Sequence, residues 1–169
     1  MISAIVYTSN SGYTAEYARM LGELTGLPVY DLHRVGDPQP QREVIFLGWL
    51  MAGNVKGYAK ADRLYKVRAV CQVGMGPATT AASDKLRQKL TLSPEVQVFT
   101  LQGGFDIRRL HGPYKWIMQV KCRDIRRTLE GKASLTPAQQ LTYDMATRGA
   151  SAVKRENLTD IVNWYKTTR

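Results

Sequence analysis

Hydrophobic positions along the chain fall into two alternating rhythms. Residues 2–7 are apolar and rich in β-formers, and they run into Thr8-Ser9-Asn10-Ser11-Gly12, a cluster of turn and capping residues. From Thr14 the period lengthens, and Tyr17, Ala18, Leu21 and Leu24 recur on one helical face until Gly26 closes the helix. Residues 27–32 read as a short second strand, followed by a loop at Gly36-Asp37-Pro38-Gln39-Pro40. Residues 43–48 are continuously apolar, as strands covered on both faces are. A glycine-punctuated loop over 49–57 and a helix over 58–65 come next. Residues 67–73 form the fourth strand, ending in Gly74-Met75-Gly76-Pro77. A helix over 78–90 places Ala82, Leu86 and Leu90 in register, and a fifth strand over 96–101 ends in Gln102-Gly103-Gly104.

The last third reads as helical. Pro113 opens a helix to about Leu129. Thr136 followed by Pro137 is an N-cap with proline at the first helical position, and that helix stops near Gly149. A final helix over 156–166 sets Leu158, Ile161, Val162 and Tyr165 on one stripe. Five strands alternating with helices predict an α/β domain with a parallel sheet covered on both faces.

Composition fits that picture. The chain has 169 residues, 44% of them apolar, enough for one core. No apolar run approaches the roughly 18–20 residues of a membrane-spanning helix. Residues 1–6 show no basic n-region, and Cys71 and Cys122 form neither a disulfide framework nor, with only His33 and His111, a metal signature. A reduced cytoplasmic protein without a metal is the expectation.

Charge changes the picture more. The formal net charge is +10, and it is unevenly placed. Residues 1–85 carry nine Lys/Arg against seven Asp/Glu, whereas residues 86–169 carry fifteen against seven. An anionic partner would therefore meet the second half; a merely solvated basic surface is the other reading.

The sharpest local signal is Thr8-Ser9-Asn10-Ser11-Gly12-Tyr13-Thr14 between the first strand and first helix. Hydroxyls and backbone N–H groups at a helix N-terminus suit an anion, and Gly12 permits close backbone approach. The loop is neither GxxxxGK nor GxGxxG, which excludes those two modes of nucleotide binding. A hydroxyl-rich helix cap without a ligand is the alternative. Its place after the first strand of an α/β pattern favours the anion site.

These residues resemble the phosphate loop of the flavodoxins. The resemblance implies a three-layer sandwich with a five-stranded parallel sheet in the order 2-1-3-4-5, and FMN as cofactor. Residues 1–169 would be a single flavodoxin-like domain. Thr8, Ser9, Asn10, Ser11, Gly12, Tyr13 and Thr14 would hold the phosphate through neutral donors. The flavin ring would lie at the carboxyl ends of the strands. Trp49, Leu50, Met51, Gly53 and Asn54 would flank it after strand three, and Gly74, Met75 and Gly76 after strand four. The stretch Gly48-Trp49-Leu50-Met51-Ala52-Gly53 departs from the Thr/Ser-Pro-x-aromatic-Gly pattern common in that family, and the second loop has no aromatic residue.

About fifty residues, 103–150, intervene between the fifth strand and the final helix, and they form a basic helical insertion. On the helix from Pro113, Met118, Cys122, Ile125 and Leu129 make one apolar stripe. Lys115, Gln119, Arg123, Arg126 and Arg127 gather on another face, with Tyr114 and Trp116 near the start. Such a helix either packs its stripe on its own domain or lies in a membrane interface. The run Gly103-Gly104, Arg108-Arg109 and Pro113-Tyr114-Lys115-Trp116-Ile117-Met118 resembles the menaquinone-dependent protoporphyrinogen oxidases, a flavodoxin subfamily. That likeness implies an FMN-dependent oxidoreductase, with a reduced porphyrin or other small redox substrate and a membrane quinone. Arg108 and Arg109 would pair with substrate carboxylates. The 113–129 helix would meet an anionic lipid surface on the inner face of the cell membrane.

Other readings are a soluble flavodoxin-type electron carrier, a general quinone or flavin reductase, and a binding module with a degenerate flavin site. Carriers of that kind are usually acidic, which a charge of +10 opposes. Nucleic acid is disfavoured, because no recognition motif or aromatic stacking platform accompanies the basic residues.

Overall fold

The computed structural model describes residues 1–34 and 40–168. The loop expected at Gly36-Asp37-Pro38-Gln39-Pro40 lies, apart from Pro40, outside the described residues. In chain order the strands are β1 (Ala4–Tyr7), β2 (Val29–Asp31), β3 (Glu43–Met51), β4 (Asn54–Val55), β5 (Lys66–Gly74), β6 (Gln97–Gln102), β7 (Gly104–Phe105) and β8 (Ala150–Ser151). The α-helices are α1 (Tyr13–Thr25), α2 (Tyr58–Leu64), α3 (Thr80–Leu90), α4 (Tyr114–Glu130), α5 (Pro137–Thr147) and α6 (Thr159–Thr167). The protein is α/β with a mostly parallel central sheet. The parallel strands run β2-β1-β3-β5-β6, which is the order 2-1-3-4-5 of the five strands expected from sequence; the difference lies in the count, with β4 antiparallel on β3 and a separate antiparallel pair β7-β8.

The extra strand β4 corrects the sequence reading of 49–57 as a loop. β3 continues through Trp49, Leu50 and Met51, turns at Ala52-Gly53 and returns, pairing Leu50 with Val55 and Met51 with Asn54. A two-residue hairpin turn of type I′ needs positive φ at both positions. Ala52 (φ 50°) and Gly53 (φ 74°) supply it. Alanine at the first position is an uncommon signature for such a turn, so the hairpin leaves little trace in the sequence. A side chain at Gly48 would meet Val55 Cγ1 at 2.4 Å, so the return strand packs directly over that glycine.

Successive strand residues face opposite sides, and both sides are covered. Ile5, Ile45, Leu47, Cys71 and Leu101 point toward α1 and α6, where Tyr17, Leu21, Leu158 and Ile161 meet them. Val6, Val44, Phe46 and Val70 point the other way, onto Ala61 of α2 and Leu86 of α3. Leu24, expected on the inner stripe of α1, is exposed instead. A third cluster joins Phe105, Leu110, Met118, Cys122 and Met145, and it ties the 104–151 excursion together. Thus Met118, Cys122 and Leu129 of α4 are buried in the protein's own core. Of the two readings of that stripe, packing on its own domain is the one that holds, with Met118 and Cys122 covered by Phe105 of β7 and Met145 of α5.

The excursion leaves and re-enters the fold through the β7–β8 pair, which matches Gly104 with Ser151 and Phe105 with Ala150. Its second helix begins as expected, with Thr136 and Gln139 forming a reciprocal capping box ahead of Pro137. Cys71 and Cys122 are free and buried. No helix among the described residues is long and apolar enough to cross a membrane.

One buried hydroxyl joins the two ends of the excursion to α1. Tyr17 Oη donates to the Gln102 carbonyl at 2.5 Å and accepts from Asn157 Nδ2 at 2.6 Å, while Asn157 also donates to the Ala152 carbonyl. Tyr17→Phe leaves those groups short of a partner in a buried setting. The expected loss is about 1–2 kcal/mol of unfolding free energy, measured by urea denaturation; an unchanged midpoint would show that the hydroxyl contributes nothing.

Candidate functional site

The loop after β1 is built from its own polar side chains. Thr8 is buried, its N–H bonded to the Leu47 carbonyl at 3.0 Å and its hydroxyl donating to the Lys56 carbonyl at 2.7 Å. Its hydroxyl therefore anchors the loop to the exit of the β3–β4 hairpin. Ser9 Oγ accepts the Gly12 N–H at 3.1 Å, and Asn10 Oδ1 accepts the His111 N–H at 3.1 Å. Gly12 then enters α1 at φ 95°, with no side chain capping the helix. The N–H groups of Tyr13, Thr14 and Ala15 have no partner among the described residues, as expected for an uncapped first turn. The Thr14 hydroxyl likewise has none there, although the residue is only 2% exposed.

A cavity of about 70 Å³ opens beside this loop at the carboxyl ends of the parallel strands. Ser11, Tyr13 and Thr14 line it from the loop; Trp49, Leu50 and Met51 from β3; Gly74 and Met75 from the end of β5. Eight residues singled out from sequence thus share one cavity. Gly104, Phe105, Leu110 and Met118 close it from the excursion, and sequence reasoning did not place those four at a site. The signal available for them was Gly103-Gly104. A Cβ on Gly104 would meet Tyr13 Cε1 at 2.4 Å, so only glycine lets the Tyr13 ring lie on this backbone.

The other expected residues are placed differently. Gly53 and Asn54 form the exposed tip of the hairpin and do not line the cavity; a Cβ on Gly53 would meet Lys89 Nζ at 2.9 Å. Gly76 also lies outside it, with open space where a side chain would stand. Trp49 meets Tyr114 edge-on, with ring centroids 5.0 Å apart at 85°, and Lys56 Nζ lies 5.2 Å from the Tyr114 ring. A larger open groove of about 480 Å³ runs along β6 between α3 and α6, and none of the expected site residues line it.

Arg108 and Arg109, expected to act as a pair on a substrate, are divided by the structure. Arg108 grips Asp106 through Nε and Nη2, at 2.9 and 2.8 Å, and donates to the Arg148 carbonyl at 2.9 Å. Arg109 turns to the loop. Its guanidinium carbon lies 4.4 Å from the Tyr13 ring centroid, and Nη2 would be 2.8 Å from a Cβ on Gly12. No carboxylate among the described residues forms a salt bridge with it. The loop thus has a cation beside it, where sequence reasoning foresaw neutral donors alone.

Asp106 sets this geometry. Its carboxylate caps the 3-10 turn at Ile107–Arg109 by accepting the Arg108 N–H, and the Arg108 side-chain hydrogen bond holds its pKa below the ordinary aspartate value. Gly149 packs against it, with a would-be Cβ only 2.7 Å from Asp106 Cγ. No group of three or more His, Cys, Asp or Glu suited to a metal occurs among the described residues.

The donor set suits a phosphate: open N–H groups, a free hydroxyl facing the cavity and an arginine. The apolar end is tighter. At about 70 Å³ it is well below the roughly 300–1,000 Å³ of pockets that bury small ligands. Its walls include Met51, Met75 and Met118, unbranched side chains that re-pack easily. Comparison with protein-family models and with curated proteins returns no match for this chain.

Because the folded-state pKa of Asp106 is depressed, the stability its carboxylate contributes is present above the ordinary aspartate pKa and is lost as pH falls through the folded value. Asp106→Asn keeps the cap but loses the charge pair with the exposed Arg108, and should cost up to about 1 kcal/mol at neutral pH, with the gap from wild type closing in acid. Urea denaturation at both pH values checks this; a gap independent of pH would assign the effect to something other than ionisation.

Proposed function

We propose that the protein is a flavodoxin-like, FMN-dependent oxidoreductase working at a membrane surface, with a reduced porphyrin or other small redox substrate and a quinone as its electron partners. One observation carries the flavin reading. The hydroxyl-rich loop that follows β1 and the ends of β3 and β5 bound a single cavity at the carboxyl edge of the sheet, where β1 stands between β2 and β3. Ligands of open α/β sheets bind at such a reversal of strand order.

FMN, when bound, supplies the hydride and single-electron chemistry. The chain's own task is binding, orientation and exclusion of water. Ser11, Gly12, Tyr13 and Thr14 would hold the phosphate, and Trp49, Met51 and Met75 would contact the ring. Leu110, Phe105 and Met118 cover the apolar end, and the ring is admitted only as that wall retracts. Arg108 is committed to Asp106, so substrate carboxylates fall to other cations of the insertion.

The membrane reading rests on a different face of α4 from the stripe first expected. Trp116, Ile117 and Val120 are 76%, 58% and 62% exposed, and Lys115, Lys121, Arg123 and Arg127 on the same helix have no salt bridge among the described residues. Exposed apolar groups beside cations suit an anionic bilayer, to which each nearby Lys or Arg adds about 1 kcal/mol.

Titration with FMN should quench tryptophan fluorescence saturably through Trp49, and Met118→Ala, which enlarges the cavity, should not weaken binding. Absence of saturable binding would overturn the flavin reading. The protein should also pellet with vesicles containing anionic lipid at low salt and be released at high salt. Trp116→Ser/Ile117→Ser/Val120→Ser should abolish pelleting; full retention by that variant would remove α4 from the interface.

A further inference from the structure

We propose that Arg109 makes the 8–14 loop a site for a dianionic phosphate monoester and sets its preference for a phosphorylated over an unphosphorylated flavin. The inference rests on the reading that this loop holds the phosphate of a ligand, and it adds the residue that recognises the charge. The loop's own donors are neutral. They satisfy phosphate oxygens but leave a dianion without a counter-charge, apart from the positive end of the α1 dipole.

Arg109 supplies that charge from outside the loop. Its Nη2 would lie 2.8 Å from a Cβ on Gly12, the residue that leads into the uncapped first turn of α1. The guanidinium is held in place from three directions. Its face rests on the Tyr13 ring; its backbone belongs to the turn capped by Asp106; and the next-but-one residue, His111, is bonded through its N–H to Asn10 of the loop. Two adjacent arginines have thus been given different work. Arg108 spends its fork on a carboxylate, whereas Arg109 stacks on an aromatic ring, which leaves its N–H groups free for an anion.

A second observation points to a ligand independently of the arginine. Thr14 is buried, lines the cavity and has a hydroxyl without a partner among the described residues. That hydroxyl is not a sealed, unsatisfied group but opens on the cavity, where a ligand can offer it a hydrogen bond. Phosphate oxygens beside the first turn of α1 would provide one. A planar guanidinium, three open N–H groups and this hydroxyl form a donor set for a phosphate monoester that none of them makes alone.

The test titrates wild type, Arg109→Gln and Arg109→Lys with FMN, riboflavin and inorganic phosphate. Tryptophan quenching follows the flavins, and heteronuclear NMR of the Gly12, Tyr13 and Thr14 amides follows phosphate. Arg109→Gln should weaken FMN and inorganic phosphate by about tenfold to a hundredfold, leave riboflavin unchanged and flatten the salt dependence of FMN binding. Arg109→Lys should keep part of the preference. Equal FMN affinity in Arg109→Gln, or an equal loss for riboflavin, overturns the assignment while leaving flavin binding intact. Phosphate binding that depends on Arg109, with no binding of either flavin, upholds the anion site and overturns the flavin reading. No phosphate or FMN binding by wild type overturns both.

Discussion

The site depends on the ring of Tyr13 lying against the backbone of Gly104. That contact brings the first residue of α1 onto the strand that opens the 104–151 excursion, with no room for a side chain between them. Everything else at the cavity follows from it. With Gly104 fixed, Phe105 turns inward, Asp106 caps the next turn, and Arg109 reaches the same tyrosine ring. A loop belonging to the sheet and an excursion that is no part of it thereby become one surface. The hydrogen bond from His111 to Asn10 closes the far side.

The two ends of the cavity obey different physics. At the loop, donors outnumber acceptors, and an uncapped helix start adds partial positive charge. At the strand ends the walls are Leu, Met, Val and Phe, and they leave little free volume. A ligand matched to both would carry an anionic group on one side and a flat apolar body on the other. The loop residues are held by hydrogen bonds within the loop and to Lys56, so they are set before any ligand arrives. The side chains of the apolar wall have no such fastening, since those of Leu110 and Met118 are held by packing.

Much of the fold was legible in the sequence because burial on both faces writes continuous apolar runs into the strands and a helical period into α1, α3 and α6. The 8–14 loop was legible for a related reason: turn chemistry and a helix start coincide there. What escaped was the geometry that arises only in three dimensions. Trp49, Leu50 and Met51 read as a loop because Ala52-Gly53 is an atypical hairpin turn, yet they are strand residues, which is why they line the cavity while Gly53 and Asn54 do not. Met118, Cys122 and Leu129 had two readings at the sequence level, core or interface, because periodicity marks an apolar face without saying what covers it. Only the position of α5 and β7 decides, and it decides for the core. Arg108 and Arg109, identical in type and adjacent in sequence, separate because one turn of 3-10 helix points them in different directions.

The basic excess of the second half also resolves into distinct parts. Arg108, Arg126, Arg148 and Arg155 pair with Asp106, Glu130, Asp144 and Glu23, so these four are structural as far as their ion pairs go. Arg87 and Lys89 donate to backbone carbonyls. What is left concentrates on Arg109 and on α4. These two remainders are not independent, because α4 has Met118 in the cavity wall and Trp116, Ile117 and Val120 on its outside. Met118 leaves the cavity only if it changes rotamer or the helix carrying it shifts, and any shift of that helix moves the exposed apolar residues with it. The wall of the cavity beside the 8–14 loop and the chemistry of the outer surface therefore meet on one element of the excursion.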